Sequence, residues 1–242
     1  MSFKDFVLDF LFPPRCAFCG AILEKSGDGV CETCRKALPR TADTERKCDF
    51  VRAYTAPFYY EPPVRQGILA YKFRSAPSRG RVFGRILGED LLRRGADEFD
   101  LISWVPLSAK RCHRRGYDQA QLLAEAAAEV LGTKAVPLLR KARDVSPQSR
   151  LRTPEERRAN ISGCYVVRSA DAVRGKRILL IDDVITTGAT VSACARVLRL
   201  AGAESVYAMA FATVESDAPL SPTSPLYENT SEDDKEDDFS DF

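Results

Sequence analysis

Apolar residues arrive in two rhythms along this chain. In "FDLISWV" (99–105), "RILLI" (177–181) and "SVYAMAFA" (205–212) they run almost without a break, as in strands buried on both faces. Pro106 stops the first run, because proline lacks the N–H that a ladder needs. Between these runs the period lengthens. In "YDQAQLLAEAAAEVLG" (117–132), Leu122, Leu123, Ala126, Ala127, Val130 and Leu131 share one helical face, and Gly132 ends it. In "TGATVSACARVLRLAGA" (187–203) the inward set is Val191, Cys194, Val197, Leu198 and Ala201, with Gly202 at the C-terminal cap. Strand, helix and strand in this order predict an α/β fold, a parallel sheet with helices on both faces.

The pattern divides the chain into three. Residues 1–45 hold paired cysteines and end in the polar stretch "PRTADTERK". Residues 46–214 carry the strand and helix signals, and residues 215–242 offer prolines, serines and acids with little to bury, so disorder is expected there. The opening "FKDFVLDFLFPP" reads as a short amphipathic helix. Asp5 and Asp9 interrupt its apolar positions and no small-residue cleavage site follows, which argues against a signal peptide. No run approaches the roughly 18 apolar residues of a membrane helix, and a cytoplasmic location is expected.

The net charge of +2 is an average over unlike parts. From Glu215 onward there are ten acids and one lysine, or −9, which leaves 35 basic and 24 acidic residues, or +11, on residues 1–214. Such a body suits a phosphorylated small molecule or nucleic acid, unless the charge is simply a solvated surface. Eight cysteines without an export signal imply reduced thiols. Cys16, Cys19, Cys31 and Cys34 form two C-x-x-C pairs separated by 11 residues. Two such pairs present four thiolates to one tetrahedral ion, so a closed, structural Zn²⁺ site is expected, ordering a segment too short for its own core. Cys48, Cys112, Cys164 and Cys194 are scattered and read as inert, Cys194 as a small buried helix residue.

The chemistry concentrates in "RILLIDDVITTGAT" (177–190). An aliphatic strand ends in Asp182 and Asp183, and the next residues reach a helix N-terminus, whose free N–H groups and positive dipole favour an anion. Gly188 permits close backbone approach, while Thr186, Thr187 and Thr190 add hydroxyls; together they suit a phosphate monoester. Two carboxylates would repel that phosphate. They suit adjacent sugar hydroxyls, or Mg²⁺ shared with those hydroxyls, and sugar plus phosphate implies a ribose 5-phosphate unit.

The stretch "ILLIDDVITTGAT" resembles the phosphoribosyl-pyrophosphate (PRPP) motif of type I phosphoribosyltransferases. "VPLSAKRCHRRGYDQAQLLAEAAA" (105–128), "SPQSRLRTPEERRANISGCY" (146–165) and "LFPPRCAFCG" (11–20) resemble the competence protein F family, the ComF or GntX group, up to about residue 214. The resemblance implies a type I phosphoribosyltransferase-like sheet behind an N-terminal zinc ribbon. It makes Asp182 and Asp183 the catalytic acids on the ribose hydroxyls, and Thr186, Thr187, Gly188, Ala189 and Thr190 the 5-phosphate loop. The loop after strand 99–105 becomes the diphosphate side, with Lys110, Arg111, Arg114 and Arg115; the same basic run also suits a solvated face or a nucleic-acid patch. Lys72, Arg74, Arg157 and Arg158 are weaker ligand candidates, and His113, alone among arginines, is not expected to be catalytic.

Three functions stay open. One is a phosphoribosyltransferase that releases diphosphate with Mg²⁺ through an oxocarbenium-like transition state. An amidophosphoribosyltransferase reading is disfavoured, since residue 2 is Ser rather than a cysteine nucleophile. The second is a single-stranded DNA-binding competence factor, working with DNA-uptake proteins, in which PRPP is sensed and aromatic residues of "RAYTAPFYY" and "ILAYKFR" stack on bases. The third is a scaffold that binds PRPP without turnover.

Overall fold

The computed structural model describes residues 13–24, 27–42, 45–73, 76–95, 99–142 and 163–214. The expected N-terminal helix, the acidic tail, Arg74, Arg157 and Arg158 lie outside the described residues. The elements in chain order are α1 (Glu32–Ala37), β1 (Arg46–Cys48), β2 (Val51–Thr55), β3 (Phe58–Tyr59), α2 (Val64–Phe73), α3 (Ser78–Arg93), β4 (Leu101–Trp104), α4 (Ala109–Arg115), α5 (Gln119–Val130), β5 (Leu139–Lys141), β6 (Tyr165–Val167), α6 (Ala170–Val173), β7 (Arg177–Ile185), α7 (Ala189–Leu200) and β8 (Ser205–Thr213). Among the described residues, no helix is long and apolar enough to cross a membrane.

The main sheet runs β1-β2-β8-β7-β4, with the short β3 also paired to β8. Strands β2, β8, β7 and β4 are mutually parallel, and β1 turns back antiparallel on β2 at the edge. Apolar side chains leave this sheet in both directions. Leu179, Ile181, Met209 and Phe211 pack with residues of α2, α3 and α5, such as Ile68, Phe83 and Leu123. Ile178, Leu180, Val206, Ala208 and Ala210 pack with Val191, Cys194 and Leu198 of α7 and with Tyr165. Helices therefore cover both faces, which is why the strands read as continuous apolar runs.

One strand is longer than its apolar run. β7 continues past Ile181 to Ile185, still paired with β8 through Ile185↔Thr213. Its other neighbour stops earlier: Trp104 is opposite Ile181, and the last bond is Val105 N–H to Ile181 O, 3.0 Å. Pro106 has no N–H to extend that ladder. The carboxyl end of β7 thus extends past the ladder with β4, which gives out just before Pro106, and the place beyond that end is the crevice.

The closest helix packing rests on glycines. Gly80, Gly84 and Gly88 recur every fourth residue along α3, on one face. A Cβ at Gly84 would lie 2.5 Å from Ala126 Cβ and 2.7 Å from Leu123 O, and one at Gly88 would lie 2.6 Å from Val130 Cβ. The backbone of α3 is therefore in direct contact with the alanine-rich face of α5. The cysteine-bearing segment packs on the other side of α3. Phe18 is buried, with ring centroids 5.3 Å from Phe83, 6.1 Å from Phe211 and 6.3 Å from Phe58. Arg79 donates to Ala17 O and Arg85 to Asp28 O, tying the segment's backbone to the helix.

Gly84→Val inserts three carbons against the backbone carbonyl of Leu123. Overpacking costs about 1–3 kcal/mol, and at roughly 2–4 °C per kcal/mol for a domain of this size the melting temperature should fall by about 2–12 °C. Arg81→Ala, on the exposed side of the same helix, should change it by less than about 2 °C. Calorimetric melts of both variants check this.

Candidate functional site

The four paired cysteines converge. The sulfurs of Cys16, Cys19, Cys31 and Cys34 all lie within 4.8 Å of one another, and Cys19 Sγ is 3.7 Å from Cys31 Sγ. A tetrahedron with Zn–S of about 2.3 Å requires S···S of about 3.8 Å. Backbone donors steady the set: Cys31 N–H points to Cys16 Sγ and Cys34 N–H to Cys31 Sγ, each at 3.4 Å. With four protein ligands and no open position, the cluster suits a structural zinc ion.

The second constellation lies in the crevice beyond β4. Asp182 and Asp183 are consecutive strand residues and therefore belong to opposite faces of the sheet. Their surroundings agree. Asp183 forms an ion pair with Lys72 at the end of α2, Nζ to Oδ1 3.1 Å, with both side chains largely buried. On the α7 side, the charge of Asp182 bears on Tyr165 and Cys194. Asp182 bends forward to accept the N–H of Asp183 at Oδ1, 2.8 Å. Burial pushes its carboxyl well above the ordinary aspartate range, the charge of Asp183 adds to that, and the Asp183 N–H and Lys72 act the other way.

A third carboxylate, Asp118, had no place in the reading of motifs. It caps α5 by accepting Gln121 N–H at 3.2 Å, and it holds Leu107 N–H at 2.8 Å, closing the loop that carries the basic residues. Burial raises its carboxyl, the two N–H donors lower it, and the charge of Asp183 raises it again. Its N-cap position ahead of an apolar helix was a legible signal. Tyr165 and Lys141, which meet in the two-stranded β5–β6 sheet with the ammonium 5.6 Å from the ring, had none.

Past Ile185 the chain bends through Thr186, Thr187 and Gly188 into α7. Gly188 is the N-cap, at φ 73°, and no side chain caps this helix. Its first N–H groups thus keep their capacity for an anion. Glycine is required twice here: by the left-handed backbone, and because a Cβ would lie 3.0 Å from Cys48 Cβ and 3.2 Å from its sulfur. Burial pushes the Cys48 thiol up, so it backs the turn as a packing residue. Thr186 and Thr190 are half-buried and Thr187 is exposed.

The basic run proves to be a short helix, α4, where a loop was expected. Ser108 caps it by accepting Arg111 N–H at 3.3 Å, and Gly116 ends it in the left-handed region. Lys110 and Arg114 are exposed, and Arg111 and Arg115 half-buried. The charges of Arg111 and of Asp182 both bear on Tyr165, in opposite directions. Arg115 turns elsewhere, to Gln119 Oε1 at 3.0 Å and over the Phe73 ring at 5.2 Å. His113 is exposed on the same helix.

Comparison with known proteins bears on both constellations. The profile of the Double zinc ribbon domain matches residues 7–53, and that of the Phosphoribosyl transferase domain matches residues 118–233. The first span contains five cysteines, enough for one four-thiolate site. Competence protein ComFC of Streptococcus pneumoniae is 29% identical over 200 residues, 79% of this chain and 84% of its own. DNA utilization protein YhgH of Salmonella typhimurium is 27% identical over 217 residues, 80% of this chain and 94% of its own. A solved glutamine PRPP amidotransferase from B. subtilis superposes at TM-score 0.37 with 24% identity, over 60% of this chain and 27% of that one.

Two outcomes follow from the site. An acid whose pKa is raised on folding opposes folding when ionised, so its cost is absent below the ordinary aspartate range near pH 4 and grows as pH rises. Asp182→Asn keeps an acceptor for Asp183 N–H and removes that cost. It should raise the melting temperature at pH 7, by roughly 2–4 °C per kcal/mol relieved, with the gain shrinking toward pH 4; a gain that grows in acid would reverse the assignment. Chelation should release one zinc ion per chain, read with a metallochromic indicator, and lower the melting of the whole molecule in one transition, because Phe18 sits in the sheet's core. A separate early transition with the sheet unchanged would refute this.

Proposed function

As a homologue of the ComFC competence proteins and the YhgH DNA utilization proteins, with a phosphoribosyl transferase domain behind a zinc ribbon, this chain, we propose, binds PRPP with Mg²⁺ and transfers its phosphoribosyl group in the service of DNA uptake. One observation carries the reading: β7 overhangs β4, so that Asp182 and Asp183 stand at a crevice directly before a helix N-terminus without a side-chain cap.

Each part of the ligand meets a chemically suited group. The 5-phosphate takes the free N–H groups that begin α7, with Gly188 allowing close approach and Ala189 opening the helix; Thr186, Thr187 and Thr190 supply hydroxyls. The ribose hydroxyls donate to Asp182 and Asp183. Lys110, Arg111 and Arg114 on α4 neutralise the diphosphate, Arg115 being already engaged with Phe73 and Gln119. As the bond at C1 lengthens, positive charge develops on the sugar, and two carboxylates beneath it favour that charge. Three aspartates beside an anionic ligand would repel it, and Lys72 offsets one of them.

Mg²⁺ fits this donor set. Hard carboxylate oxygens suit it, and the acid pair already attracts a cation in Lys72. When bound, the ion would neutralise charge on the departing diphosphate. A second reading, a single-stranded DNA-binding factor in which PRPP is sensed without turnover, is favoured by the exposure of Lys110 and Arg114 on α4.

Titration calorimetry with PRPP and Mg²⁺ tests the proposal. The wild type should bind, and Asp182→Ala with Asp183→Ala should lose at least about 100-fold, the equivalent of two charge-assisted hydrogen bonds, with zinc content and folding retained. Affinity within threefold of wild type would sink the assignment. Diphosphate release over a panel of nucleobases and amines separates transfer from sensing.

A further inference from the structure

Three consecutive residues at the end of α2 are each tied to a different structure. Tyr71 is fully buried, donates its hydroxyl to Gln119 O at 2.9 Å, and accepts Tyr117 Oη–H at its own carbonyl. Lys72 reaches the acid crevice through Asp183. Phe73 stays 41% exposed, with the Arg115 guanidinium over its ring at 5.2 Å. Of the aromatic residues in the two basic-flanked stretches singled out above, Tyr54, Phe58, Tyr60 and Tyr71 are buried in the body and Tyr59 is half-buried. Core packing thus accounts for the other aromatics but leaves Phe73 outside.

An exposed phenylalanine alone carries no message. This one is fixed in place: the preceding residue is anchored to β7, and its own ring is held by α4. The helix that holds it also presents Lys110 and Arg114 to solvent. An aromatic face with a guanidinium on it, flanked by further cations on one short helix, combines the two elements that bind single strands: a surface for stacking a base and cations for the phosphates that follow.

We infer that Phe73 and Arg115 form a stacking platform for a nucleobase of single-stranded nucleic acid, at the rim of the acid crevice and separate from the PRPP contacts. The inference rests on the reading of that crevice as a ribose 5-phosphate site only for its position. Arg115 then serves the platform, and Lys110 and Arg114, assigned above to the diphosphate, are shared with the phosphates of the strand.

The test uses the full chain, a fluorescein-labelled 20-residue oligodeoxyadenylate, AMP as the free-nucleotide probe, and PRPP with Mg²⁺. Stacking contributes about 1–3 kcal/mol per base, so Phe73→Ala should weaken oligonucleotide binding about 5- to 150-fold. Phe73→Trp should stay within about twofold of wild type and show fluorescence quenching by the strand that wild type, with only the buried Trp104, lacks. Added salt should weaken the strand steeply, and AMP should bind far more weakly. Oligonucleotide affinity unchanged in Phe73→Ala overturns the platform, as does failure of wild type to bind the strand. AMP binding as tight as the strand overturns the choice of ligand. A parallel loss of PRPP affinity in Phe73→Ala would make Phe73 a support of the crevice and also overturn the platform. Failure of wild type to bind PRPP refutes the crevice reading instead, and the oligonucleotide arm reports independently of it.

Discussion

A carboxylate at the edge of an apolar sheet needs a compensating charge, and the Lys72–Asp183 pair supplies it. Both side chains are largely withdrawn from water, and their attraction offsets part of the cost of burying each charge. The pair fixes the last turn of α2 against β7 and thereby determines where Tyr71 and Phe73 fall. It also lowers the negative charge around Asp182 and Asp183. Burial is the main reason the carboxyls of Asp118 and Asp182 are raised, and the charge of Asp183 adds to both.

The crevice itself is a consequence of unequal strands. Because β4 stops at Val105 and Pro106 while β7 runs on to Ile185, one edge of β7 is open beside Asp182 and Asp183. A strand paired on both sides to its end would have closed the gap. The same layout explains why two adjacent acids differ. One belongs to the α2 face and has a lysine; the other belongs to the α7 face, near Tyr165 and Cys194, and has mostly low dielectric around it.

Close approaches at glycines draw the elements together around Asp182 and Asp183. Gly84 and Gly88 let α3 rest on α5, Gly188 lets the turn before α7 rest on Cys48, and Gly67 brings α2 against the chain at Ala17 and Phe18. Through Phe18 the metal-binding segment shares the core formed by Phe58, Phe83 and Phe211. A structural ion there holds more than its own loop, since Ala17 and Phe18, between the first two ligands, are part of the main core.

The sequence by itself determined the buried strands, the α5 and α7 helices, the acid pair, the glycine turn and the four thiolates. Each is a local signal: an apolar run, a 3.6-residue period, or a short spacing that puts like groups on one turn. Only the tertiary structure decided that Lys72 reaches Asp183, that β7 outruns β4, that Asp118 joins the acids, that α4 is helical and that α3's glycines face α5. These depend on which elements become neighbours, and residues 72 and 183, or 84 and 126, carry no mark of each other in the chain. Burial and pairing are properties of the assembled layers, so the charge balance of the crevice could be decided only once those layers had met.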